Sequence, residues 1–357
     1  MHKLKNKFKR LIMSAATIGT ACLLAGCGAG AAAGTDNSSV TESQSGVNGS
    51  EQENASSDSQ KLQIVATIFP EYDWVKEILG EQADNVELTL LLGNGTDMHS
   101  FQPTMEDILK VSTCDLFIYV GGESDSWVAD ALKGAGNPDR KAINLMDVLG
   151  DQVKEEEIVE GMQDEDGHTH EEEHTHDDDL EYDEHVWLSL KNASLFCDTI
   201  ASSLADADPE HSRLYQQNAE AYEEKLAALD QEYQTSVEKS QSKTLLFADR
   251  FPFRYLIDDY NLTYYAAFAG CSAETDASFE TITFLAGKLD ELKLPAVLTI
   301  ENSDQKVAKA VIENTNTKDQ KILTLNSMQS VTTKDVEEGT TYLSIMENNL
   351  QILKEAL

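Results

Sequence analysis

Basic residues are scarce in this chain: 27 Lys and Arg stand against 64 Asp and Glu, for a formal net charge of −37 over 357 residues. A field of that sign disfavours nucleic acid and anionic membrane surfaces and favours cations. Cysteine is scarce too. Of the five, Cys22 and Cys27 fall near the N-terminus, and Cys114, Cys197 and Cys271 form an odd set with no CxxC spacing. Neither a cysteine zinc cluster nor a disulfide framework is indicated, and at most one pair could form. The apolar run from Leu11 to Leu24 is shorter than the ~20 residues a membrane span requires. GxSxG and paired acids at a predicted cleft are missing, and the one HExxH string, His170 to His174, falls inside an acid run, so a secreted zinc hydrolase is the least favoured reading and the chain is expected not to be an enzyme.

What is present begins with a targeting segment. Lys3, Lys5, Lys7, Lys9 and Arg10 precede the apolar run, which closes on Leu24-Ala25-Gly26-Cys27. Residues 1–26 therefore read as a secretory signal. The cysteine after Leu-Ala-Gly resembles the lipobox of bacterial lipoproteins, which implies that Cys27 is lipidated and becomes the first mature residue. An uncleaved membrane anchor is the rival reading. Loss of the five basic residues of the signal takes the charge from −37 to about −42. Residues 27–60 are Gly, Ala, Ser, Asn, Gln and Glu with almost no large apolar side chain, the composition of a flexible tether.

From Lys61 onward short β-rich runs alternate with helical spacing. Strands are expected at Leu62–Ile68, Val86–Leu92, Leu116–Val120 and Ala142–Leu145, with helices at Glu71–Leu79, Met105–Val111 and Ser126–Leu132. The pattern recurs with strands at Leu245–Ala248, Thr263–Phe268, Val297–Ile300 and Ile322–Leu325 and helices at Phe279–Leu292, Gln305–Asn314 and Tyr342–Ala356. Between the two sets, Tyr222, Leu226, Leu229, Tyr233 and Val237 make one apolar stripe, and Asp208-Pro209 offers an N-cap and a first-turn proline. A helix from Pro209 to Lys239 would be about 45 Å long. The expected fold is α/β: two lobes, each a mainly parallel sheet flanked by helices, joined by a long rigid interdomain helix. The lobes are expected at 61–190 and 243–357, with a linking helical segment over 191–242. Ligands of such sheets sit at the carboxyl ends of strands, which points to a cleft between the lobes.

Residues 164–185 read DEDGHTHEEEHTHDDDLEYDEH and hold five of the eight histidines. Imidazole suits zinc and its transition-row neighbours, and carboxylates attract any divalent cation, so the loop at 155–184 reads as a metal trap built on His168, His170, His174 and His176. The plainer reading of such an acid run is a solvated loop. His211 falls in the first turn of the long helix and reads as a surface residue. His99 and His185 each fall at a strand-loop-helix junction that could face the cleft.

The residues around them carry a resemblance. Ala66-Thr67-Ile68-Phe69-Pro70, Gly95-Thr96-Asp97-Met98-His99-Ser100-Phe101-Gln102-Pro103, Asp183-Glu184-His185-Val186-Trp187-Leu188-Ser189 and the segment from Gly270 to Ser278 are similar to the corresponding motifs of the metal-binding lipoproteins of ATP-binding-cassette importers for zinc and manganese. The similarity covers essentially Lys61 to Leu357. It implies two α/β lobes around a long helix, a bound divalent metal ion, a lipid anchor on the outside of a bacterial cell membrane, a permease partner and a monomeric chain. It also implies that His99 and His185 are metal ligands, and that the His- and acid-rich loop is auxiliary.

The chain departs from that family's pattern in the second lobe. Arg250 occupies the usual third-ligand position and has no lone pair to give; Asn326 stands where the family has an aspartate. Asp249 or Glu301, the loop histidines, or water could complete the sphere, and Arg250 could hold a carboxylate as a bidentate pair. Two imidazoles favour Zn2+, with Mn2+ the alternative if oxygen fills the remaining positions. A surface adhesin is a reading of another class.

Overall fold

The computed structural model describes residues 61–134, 136–163, 181–272 and 276–357. The signal, the tether, Cys27, and His168, His170, His174 and His176 lie outside the described residues. Within them the first lobe runs β1 (Leu62–Ala66), α1 (Phe69–Leu79), β2 (Val86–Leu90), α2 (Met105–Thr113), β3 (Leu116–Tyr119), α3 (Val128–Leu132), β4 (Lys141–Asn144) and α4 (Leu145–Leu149). Two helices follow, α5 (Leu190–Ala207) and α6 (Ser212–Lys239). The second lobe runs β5 (Thr244–Phe251), α7 (Arg254–Asp259), β6 (Thr263–Ala269), α8 (Phe279–Leu292), β7 (Ala296–Thr299), α9 (Lys306–Glu313), β8 (Lys321–Thr324), α10 (Thr333–Glu337) and α11 (Tyr342–Ala356).

Each lobe holds a four-stranded sheet with every named pair parallel, ordered β2-β1-β3-β4 in the first and β6-β5-β7-β8 in the second. The central strands are nearly continuous apolar runs, as parallel strands covered on both faces must be. Ile64, Val65 and Ala66 of β1 and Ala296, Val297 and Leu298 of β7 are buried. In both lobes the chain reverses direction across the sheet beside the first strand. The loops after strands therefore meet at two corresponding edges, where α/β sheets bind their ligands.

The stripe expected on the long helix is buried: Tyr215, Ala219, Tyr222, Leu226, Leu229, Tyr233 and Val237 face inward. At 28 residues α6 is about 42 Å long. It packs on α1 and α5 of one half and on α11 of the other. Its start differs from the expectation at Asp208-Pro209. Asp208 instead ends α5, donating its N–H to the Leu204 carbonyl, while its carboxylate takes the His211 ring nitrogen (2.7 Å) and the Tyr215 hydroxyl (2.7 Å). Pro209 is thereby spent on the turn between two helices, and α6 begins at Ser212.

The lobes are tied together by buried hydrogen bonds. Trp187 Nε1 donates to the Ser327 carbonyl (2.9 Å), the Tyr342 hydroxyl to the Trp187 carbonyl (2.7 Å), and the Tyr342 N–H to Asp73 (2.7 Å). Cys114, Cys197 and Cys271 are all unpaired thiols, so the frame rests on packing and these bonds. Among the described residues no helix is long and apolar enough to cross a membrane.

Candidate metal centre

His185 is held by groups from both halves of the chain. The segment before it is fixed by Tyr255 at α7, whose hydroxyl donates to the Asp183 carbonyl (2.9 Å) and accepts from the Lys154 N–H (3.1 Å). The His185 side chain is 0% exposed and packs beside Trp187, ring centroids 5.2 Å apart. Asp183 Oδ1 accepts from the His185 N–H (2.8 Å) and lies 3.0 Å from its Nδ1. An ionised carboxylate only accepts, so Nδ1 carries the ring proton and Nε2 keeps its lone pair.

His99 comes from the loop after β2. Asp97 caps the 3-10 turn Met98–Ser100, its Oδ1 accepting from the His99 N–H (3.1 Å). His99 Nδ1 lies 2.8 Å from Ser124 Oγ and 3.5 Å from Glu184 Oε2. The other oxygen of Glu184 accepts from the Ser124 N–H (2.9 Å), while Oε2 is buried with no hydrogen-bond partner of its own. Both oxygen neighbours lie on the Nδ1 side, which leaves Nε2 to face His185. The consecutive acids Asp183 and Glu184 thus back one histidine each. Close approach is needed here: Gly122, at φ +77°, would put a Cβ 2.2 Å from Glu184 Oε1.

The two Nε2 atoms are 3.2 Å apart. Lone pairs at that distance repel unless a proton or a cation lies between them. A tetrahedral zinc with Zn–N near 2.0–2.1 Å would separate two nitrogens by about 3.3 Å, so the pair is spaced for a metal. Burial, then the charge of His185, pushes His99 down to about 3, so His99 stays neutral and available. For His185 burial works in the same direction, but Asp183, with Glu184 and Glu156 behind it, outweighs it and lifts the imidazole above its ordinary value. Any proton the pair shares therefore resides on His185.

The third member of the group comes from the turn after β6. Cys271 Sγ and one ring nitrogen of each histidine all lie within 4.8 Å of one another. Gly270 lets this turn approach, since a Cβ there would meet the Phe251 carbonyl oxygen at 2.8 Å and His185 Cε1 at 3.2 Å. His99 and Cys271 open on a cavity of about 590 Å3 that Glu156, Glu184 and Ser124 also line. Sequence reasoning passed over Cys271, Asp183, Glu184 and Ser124. Asp183, Glu184 and Cys271 lie in the family-like segments Asp183–Ser189 and Gly270–Ser278, but nothing in their spacing marked them as parts of the site.

Asp249 and Glu301 are not in this group. They line a neighbouring cavity with Arg250 and Asp97. Asp249 accepts from the Arg250 N–H (2.9 Å), and Glu301 accepts from the Ser327 N–H (2.7 Å), the Ser327 hydroxyl (2.8 Å) and the Gln329 N–H (3.0 Å). Arg250 does hold a carboxylate, but through one nitrogen rather than two: Nη2 donates to Asp97 Oδ2 (2.8 Å). Although burial opposes it, that guanidinium keeps Asp97 below the usual carboxylate range. The pair links β5 to the His99 turn. Asn326 spends its side chain on its own turn, accepting from the Met328 N–H (2.8 Å).

Two α/β lobes closing on a histidine pair define a cleft-type binding protein for a small cation. The zinc-uptake complex component A (periplasmic) family, ZnuA, matches residues 64–356, and the chain belongs to it. The zinc-binding lipoprotein AdcA of Streptococcus pneumoniae serotype 4 is 32% identical over 299 residues, covering 83% of this chain and 56% of AdcA. The chain thus spans about half the length of the AdcA relatives it matches. The high-affinity zinc uptake system protein ZnuA of Bacillus subtilis is 29% identical over 310 residues, covering 87% of this chain and 92% of that protein. The crystal structure of the Zn(II)-bound ZnuA-like domain of S. pneumoniae AdcA aligns with a TM-score of 0.64 at 27% identity, over 83% of this chain and 99% of that one.

Proposed function

We propose that this chain captures a divalent transition metal outside the cell, zinc above others, and delivers it to the membrane permease of an ATP-binding-cassette importer. The observation that carries the reading is the histidine pair. Buried His185 and partly buried His99 place their Nε2 atoms 3.2 Å apart, and each has a carboxylate behind its other nitrogen. Such outer carboxylates fix the tautomer and raise ligand basicity. Imidazole donors favour zinc over manganese, and the relatives' names specify zinc. In this reading His99 and His185 hold the ion and no bond is made or broken, so the protein is a binding component and not an enzyme. The lipoprotein name of the S. pneumoniae relative supports lipidation at Cys27 and a place at the outer face of a bacterial membrane. His168, His170, His174 and His176 serve as a weaker auxiliary trap.

The test is zinc titration of the full chain against a chromophoric chelator, with His99→Ala and His185→Ala in parallel and a deletion of residues 165–179. Each alanine variant is expected to weaken binding by about tenfold or more, as loss of a ligand must. The deletion should remove weak equivalents and keep one tight one. Unchanged affinity in both alanine variants would refute the assignment, and a deletion with no tight equivalent would move the site into the loop.

A further inference from the structure

We infer that Cys271 supplies a thiolate ligand from the second lobe, making the cleft a mixed nitrogen–sulfur site suited to zinc and softer d10 cations. This inference rests on the capture reading above and names the donor set of that same site. The second lobe must contribute something if the ion is to be held between lobes. The two carboxylates expected there are engaged elsewhere: Glu301 accepts three hydrogen bonds from Ser327 and Gln329, and Asp249 lines a different cavity beside Arg250. Arg250 brings only donors, and they go to Asp97 and the Ser272 carbonyl. Among the described residues, Cys271 Sγ is the one further ligand atom grouped with the two imidazole nitrogens.

The turn that carries Cys271 is positioned, not loose. It leaves the end of β6, its N–H donates to Glu156 Oε1 (3.1 Å), and the glycine before it lets the backbone lie against the His185 ring. With Zn–N near 2.0–2.1 Å and Zn–S near 2.3 Å, tetrahedral angles place sulfur about 3.6 Å from each nitrogen. The group's ligand atoms already lie within 4.8 Å of one another, so side-chain adjustments on the order of 1 Å separate them from that geometry. The fourth position opens on the cavity, where water can enter. On binding, the S–H bond is replaced by a metal–sulfur bond and the proton leaves to solvent through that cavity, with no change of oxidation state. A thiolate selects zinc and soft ions, while manganese prefers carboxylate and water oxygen.

The full chain loaded with Co2+ tests this directly. A thiolate ligand gives a sulfur-to-cobalt charge-transfer band in the near ultraviolet, which a histidine and oxygen site lacks. The band is expected in the wild type and absent in Cys271→Ser. Zinc should protect Cys271 from iodoacetamide in the wild type, with buried Cys114 and Cys197 as internal references. Cys271→Ala is expected to bind Zn2+ at least about tenfold more weakly and to lose more affinity for Cd2+ than for Zn2+. One tight Co2+ equivalent without the band overturns the inference while capture stands, and so does protection from alkylation without the band. No tight Zn2+ equivalent in the wild type overturns both readings together.

Discussion

Replacing Asp183 by Asn isolates the electrostatic part of the account. The side chain is 2% exposed, and Oδ1 touches both the backbone N–H and Nδ1 of His185. Asparagine keeps an oxygen for those two donors, so shape and tautomer survive and only the negative charge is lost. A charge this deeply buried is little screened by salt, and its removal makes His185 Nε2 a weaker donor to a cation. Outer-sphere carboxylates of ligating histidines are worth roughly 10–100-fold in metal affinity, or about 1.4–2.8 kcal/mol. We expect Asp183→Asn to weaken zinc binding in that range in a chelator competition at neutral pH. Glu184→Gln should act in the same direction but less, because its oxygen is 3.5 Å from His99 Nδ1 and Ser124 satisfies the same nitrogen. Zinc affinity within about twofold of wild type in both variants would refute the claim that the paired acids tune the paired histidines.

Three further outcomes follow from residues around the site. Glu71 is fully buried, and burial, then the charge of Asp125, pushes its carboxyl up to about 8 from 4.5. The folded state then holds a proton that the unfolded state has released, so stability should fall as pH rises from 4.5 towards 8, and Glu71→Gln should flatten that slope in denaturant titrations. Gly270→Ala drives a Cβ to 2.8 Å from the Phe251 carbonyl oxygen, so it should cost about 1–3 kcal/mol of stability and also weaken zinc binding, read by melting and chelator competition. Glu301→Gln turns an amide NH2 toward hydrogen-bond donors; it should cost about 1–3 kcal/mol of stability with zinc affinity unchanged, and the reverse pattern would make Glu301 a ligand.

The fold was legible because its signals are local and strong. All eight strands fall on the apolar runs, each within a few residues of the expected span, since parallel strands buried on both faces need unbroken β-branched and aromatic stretches. The stripe of α6 was equally plain. Helices α4, α7 and α10, of five or six residues, were not read, because one turn and a half shows no period. The site was half legible. His99 and His185 stood out through their motifs; Cys271 lies in the family-like segment Gly270–Ser278, but a lone cysteine without a CxxC spacing does not mark itself as a ligand, and its place beside His185 shows only where the β6 turn meets that ring. Asp183 and Glu184 merged into the acid run beside them. The carboxylates expected from chain order, Asp249 and Glu301, do lie near strand ends, but the register shift in β5 between Phe247 and Arg250 and the turn at 327–329 engage them away from the histidines.

The most direct test is a zinc-edge anomalous difference map of the protein purified without a tag and crystallised with one equivalent of Zn2+. The account predicts a single dominant peak within about 2.0–2.1 Å of both His99 Nε2 and His185 Nε2. A dominant peak beside Asp249 and Glu301, or none in the cleft while the protein retains zinc, would contradict it.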